Sequence, residues 1–157
     1  MHILFVADGR SPTTRRWIQS VRALQHEITL VSTYPCEPLP EALNTYTLPI
    51  AFSNYGGSAS PATQSSKKRL LKRFRGLFVK VRAWLGPLTL SSASVAFRKL
   101  VSEVRPDAVH ALRIPFEGML ACATPQDIPL ILSIWGNDLT LHAPSSPWMR
   151  KQTLAAL

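Results

Sequence analysis

Residues 3–32 read ILFVADGRSPTTRRWIQSVRALQHEITLVS. The run Ile3 to Ala7 is apolar without alternation, as in a strand buried on both faces of a parallel sheet. Asp8-Gly9 supplies the turn that ends it. Trp17, Ile18, Val21 and Leu24 then recur at helical spacing, with Arg15, Arg16, Gln19 and Arg22 between them. Ser11 before Pro12, or Thr13 and Thr14, can cap that helix. Glu27 to Ser32 reads as a second strand. Strand, helix and strand in this order make one βαβ unit, so the fold class is α/β.

The rest of the chain extends the pattern. Asn44 to Leu48 reads as a weaker third strand, and Pro35, Pro38 and Pro40 mark the loop before it. Ala93 to Val104 is helical in spacing and is broken by Arg105-Pro106-Asp107. Ala108 to Leu112 reads as a strand, Pro115 to Thr124 as a short helix, and Pro129 to Ile134 as a further buried strand. After Pro147 a helix begins. The expected architecture is a Rossmann-like parallel sheet with helices on both faces. Ligands of such sheets sit at the carboxyl ends of the strands. Three of those ends carry polar or glycine-containing turns: Asp8 to Arg10, His110 to Arg113, and Trp135 to Asp138.

Charge is localised. The formal net charge is +9, and eight basic residues lie between Lys67 and Arg82; without them the remainder stands at +1. No acidic residue occurs from Ala42 to Ser102. Residues 53–66 are rich in Gly, Ser, Ala and Asn and read as a flexible loop. Residues 67–85 read as a basic amphipathic helix. Leu70, Leu71, Phe74, Leu77, Phe78, Val81 and Leu85 form its apolar stripe. Lys67, Lys68, Arg69, Lys72, Arg73 and Arg75, with Phe74, Phe78 and Trp84, suit an anionic membrane surface. The alternative is packing of the stripe on the sheet with the charges solvated. Nucleic acid ranks last among the readings of this patch and is not expected as a partner, because no recognition motif or aromatic platform accompanies the charge.

No apolar run reaches the ~20 residues that span a bilayer, and the short run at Ile3 is not a signal peptide. The expectation is a cytoplasmic chain, peripheral at the inner membrane face. Cys36 and Cys122 stand in no metal or redox spacing and read as free thiols. No metal and no cofactor are expected.

Three stretches carry a family resemblance. MHILFVADGRSPTTRRW (1–17) resembles the start of N-terminal domains in the family 4 (group 1) retaining glycosyltransferases of GT-B fold. RPDAVHALRIPFEG (105–118) is similar to that family's x-P-D-V-V-H-A-H strand and following glycine. PLILSIWGNDL (129–139) is similar to its P-x-V-x-[ST]-x-[HW]-G-x-D. The family's second histidine falls at Leu112, so its role does not carry over.

The resemblance implies that residues 1–157 are the N-terminal, acceptor-side domain of a glycosyltransferase, incomplete at its C-terminus. The partners it implies are a nucleotide-sugar donor, a sugar or lipid-linked acceptor, and a C-terminal half that holds the donor. The chain alone is expected to be inactive. The alternative is a non-catalytic fragment or a membrane- or partner-docking module.

The candidate substrate-binding residues are Gly9, Arg10, His110, Arg113, Glu117 and Asp138. None is a nucleophile, and His110 is the cleft candidate for a catalytic role. Gly9 permits close approach of backbone N–H groups to a phosphate, or simply makes a turn. Arg10 suits an anionic ligand. Arg113 and Glu117 either pair with each other or face the cleft, where Glu117 can orient hydroxyls. Asp138 either accepts from acceptor hydroxyls or caps a helix starting near Leu139. Trp135 either stacks on a sugar or packs in the core, and core packing is the expectation.

Overall fold

A computed structural model describes residues 1–51, Ser53 and 84–157. The loop expected at 53–66 and the basic helix expected at 67–85 fall outside those residues, apart from Ser53, Trp84 and Leu85. Strands β1 (His2–Ala7), β2 (Glu27–Ser32), β3 (Asn44–Thr47), β4 (Ala108–Ala111) and β5 (Leu130–Leu132) form one sheet in the order β3-β2-β1-β4-β5. All four pairings are parallel. The strand order reverses between β1 and β4, so the switch-point crevice lies at their carboxyl ends.

Period-two alternation sorts the strand side chains onto two faces. Leu4, Val6, Val31, Val109 and Ala111 face α2 (Leu90–Val104), which contributes Phe97, Leu100 and Val101. Phe5, Ala7, Ile28 and Leu30 pack with Leu112 and with Ile18 of α1 (Pro12–Ala23). Leu4 to Ala7 are therefore buried from both sides, as their unbroken apolar run requires. The turn Met119–Ala121 (α3) and the helix Pro147–Ala156 (α4) complete the α2 side, with Met149 of α4 in the core. Arg105 ends α2 in a left-handed conformation, φ 49°, and its N–H bonds to Val101.

Several expectations change. β5 is an edge of the described sheet rather than a buried strand, and Ile131 is half exposed. Trp135 is 40% exposed and does not pack in the core. In α1 only Thr14 and Ile18 are buried, while Trp17 and Leu24 are exposed. Ser11 is the N-cap residue of α1 by position, without a side-chain capping bond. Cys36 and Cys122 are both free. Among the described residues no helix is long and apolar enough to cross a membrane.

Candidate functional site

The crevice begins with Asp8-Gly9-Arg10 after β1. The Asp8 carboxylate accepts the Arg10 backbone N–H and Nε–H at Oδ1, and Nη2–H at Oδ2, each at 3.0 Å. The Arg10 guanidinium lies 3.8 Å above the Tyr34 ring centroid. Its hydrogen bonds with Asp8 hold its pKa above the usual arginine value, against the effect of burial. Gly9 donates its N–H to Ser32 Oγ at 3.0 Å. A Cβ at Gly9 would stand 2.5 Å from Cys36 Sγ, so the glycine is required for close packing on the end of β2. Arg15 reaches back to the Gly9 carbonyl at 3.3 Å.

Beyond β4, Arg113 and Glu117 form a two-pronged ion pair, with Nε and Nη2 each 2.9 Å from a Glu117 oxygen. Glu117 Oε1 also accepts the Thr33 hydroxyl at 3.0 Å. The Glu117 side chain is 1% exposed and that of Arg113 is 35% exposed. Glu117 therefore does not face the crevice; it ties the ends of β2 and β4 together. Burial works against the charge of Arg113, but Glu117 outweighs it, with Tyr34 and Asp8 contributing, and the pKa of Arg113 is raised. The loop that sets up this pair, Ile114–Gly118, is a wide turn closed by Gly118 N–H on the Arg113 carbonyl. Phe116 inside it has φ 66° and ψ −50°, a strained conformation for a bulky residue. Its ring is wedged against Gly86, where an added Cβ would meet it at 2.8 Å.

Asp138, after β5, is also buried. Its Oδ2 accepts the N–H groups of Ile114 and Trp135, each at 3.1 Å. The carboxylate thus fastens the β4 loop to the β5 loop. The N-cap position of the turn Asp138–His142 is Asn137, which makes no side-chain capping bond. Trp135 and Gly136 stay exposed beside it.

His110 sits one residue before the end of β4, on the face it shares with Phe5 and Ile131. Its ring lies 5.2 Å from that of Phe5 and meets Trp17 edge-on at 5.8 Å. Nε2 is 2.9 Å from Ser133 Oγ. Burial lowers its pKa, so the neutral imidazole is favoured.

The structure therefore brings Gly9, Arg10, His110, Arg113, Glu117 and Asp138 to three adjacent strand ends, in two roles. Arg10, Arg113 and the half-buried His110 reach the surface of the crevice. Gly9, Glu117 and Asp138 are consumed in holding it. No group of three or more metal-binding side chains occurs among the described residues. Thr33 and Tyr34 belong to the same site and were not anticipated. They directly follow β2, and the strand-end rule that singled out the other loops points to them too.

The family model described as glycosyl transferase 4-like matches residues 59–157. A crystal structure of CalG4, the calicheamicin glycosyltransferase, is similar at 16% identity and a TM-score of 0.43, over 85% of this chain and 32% of that one. This chain thus spans about a third of that protein's length. No curated protein matches the chain.

Proposed function

This chain belongs to the glycosyl transferase 4-like family, and from that premise we propose that it is the acceptor-side domain of a glycosyltransferase. A second domain outside residues 1–157 holds the nucleotide-sugar donor, and the sugar passes to an acceptor in the cleft between the two. The carrying observation is that the three loops bearing the resemblance end β1, β4 and β5, which are neighbours in the sheet at its switch point.

The chemistry of this half is positioning. Arg113 is gripped by Glu117 through Nε and Nη2, which fixes the guanidinium and leaves Nη1 outside that pair as a donor. Arg10, flat on Tyr34, is a second oriented cation. Neutral His110 can hydrogen-bond a hydroxyl once its contact with Ser133 is exchanged. Glu117 and Asp138 support these groups rather than act as general bases: both are buried, both Glu117 oxygens are hydrogen-bonded, and Asp138 Oδ2 accepts two backbone N–H groups. The same observation favours a second reading, a non-catalytic docking module on the same fold. Residues 67–85 would attach either form peripherally to an anionic membrane.

Calorimetric titration of the folded chain with nucleotide sugars and free nucleotides tests the assignment of the donor to another domain. The expected result is no binding. Saturable binding of one nucleotide would make this chain a self-sufficient nucleotide site and end the acceptor-side reading. Transfer activity on joining a donor domain separates an enzyme half from a docking module.

A further inference from the structure

One residue beyond Asp138 the chain leaves the crevice and forms one wall of an open groove, of about 640 Å³, against the outer side of α4. Leu139, Pro144, Pro147 and Leu154 give it apolar sides, and Arg150 and Lys151 stand among them. Leu139 and Leu154 are 44% and 64% exposed. Neither Arg150 nor Lys151 takes part in an ion pair among the described residues. Residues 54–83 and 139–157 contain no Asp or Glu side chain.

The surroundings have the same character. Trp148, next to the groove on α4, is exposed. α4 packs against the turn Gly86–Thr89, where Leu88 and the preceding Trp84 and Leu85 are exposed as well. Apolar and aromatic side chains beside unpaired cations, with no carboxylate among the groove's lining residues, complement a surface that is hydrocarbon below and anionic above. A protein partner of matching shape would have to bring both an apolar ridge and its own carboxylates; a bilayer of anionic lipid offers both at once.

We propose that this groove is a lipid contact: Arg150 and Lys151 meet anionic headgroups while Leu139 and Leu154 rest against the upper acyl region. The contact is formed by described residues on the α2 side of the sheet. It is distinct from any attachment through residues 67–85 and does not depend on the proposed transfer reaction.

The test is sedimentation of the full chain with vesicles of phosphatidylcholine, with and without phosphatidylglycerol. R150Q/K151Q removes the cations and L139S/L154S removes the apolar wall. R16Q/R22Q, on α1 and so on the opposite face of the sheet, removes the same charge as a control. Circular dichroism confirms that each variant is folded. The expected result is binding to the anionic vesicles alone. Partitioning should fall roughly tenfold or more in R150Q/K151Q and several-fold in L139S/L154S, and should change little in R16Q/R22Q. The proposal is overturned if both groove variants partition like the wild type, or if R16Q/R22Q falls as far as R150Q/K151Q.

Discussion

Two loops on adjacent strands each hold an arginine with a carboxylate, and they do so in opposite ways. In the β1 loop, Asp8 and Arg10 are neighbours in sequence, both partly exposed, with side chains 20% and 32% accessible. Water competes for both, and opening the pair leaves neither charge stranded. In the β4 loop, Glu117 is shut away from water and has three hydrogen bonds to make, two from Arg113 and one from Thr33. Removing one partner there leaves a buried ion uncompensated. The first arrangement is a solvent-accessible pair that water can open. The second is a buried bracket that holds a guanidinium one third exposed.

That contrast is best tested where the effect is largest. Arg113→Ala should destabilise the fold by about 3–5 kcal/mol, because Glu117 is left as a buried carboxylate without its cation. Denaturant unfolding measures it, and a loss below about 1 kcal/mol would make the bracket no stronger than a surface pair. Asp138→Ala comes next. Two N–H groups, that of Ile114 buried and that of Trp135 partly so, lose a charged acceptor, at about 1.5–3 kcal/mol, and proteolysis at the Ile114–Gly118 turn should speed up with it.

On the β1 side the prominent constraint is steric. Gly9→Ala should cost about 1–3 kcal/mol through overpacking on Cys36 and Ser32. Cys36→Ala should recover much of that loss in the double variant; additive losses would show that the clash lies elsewhere. Asp8→Asn, by contrast, should cost no more than about 1 kcal/mol. A cost matching that of Arg113→Ala would erase the distinction between the two loops.

The smallest expected effect is on pH dependence. Burial lowers the pKa of His110 in the folded state, so the unfolded chain takes up a proton first as pH falls. The stability associated with neutral His110 is complete above the unfolded value of about 6.5. It is lost as pH falls through the lowered folded value. Thermal melts between pH 8 and 5 should show the decline, and His110→Gln should remove that component of the slope.

Much of the fold was legible because a parallel sheet writes itself into unbroken apolar runs and the helices between them into a 3.6-residue period. β1, β2, α1 and α2 were placed within a residue or a few of their observed bounds for that reason. β5 is an edge and not a buried strand, which its residues do not show, because Leu-Ile-Leu looks the same at the centre of a sheet and at its edge; neighbours decide which, and Ile131 has none on its outer side among the described residues. Trp135 was misplaced similarly, since an indole suits a core or a rim equally well.

The candidate residues were found by their place at strand ends, which depends only on local order along the chain. Their roles were not. Whether Glu117 orients a hydroxyl or braces an arginine turns on Thr33, 84 positions earlier. Whether Asp138 is open or engaged turns on a backbone N–H of Ile114 in another loop. Local sequence therefore determined which side chains gather at the switch point. Only the tertiary structure decided which of them water can reach, because burial and hydrogen-bond satisfaction are set by partners distant in sequence.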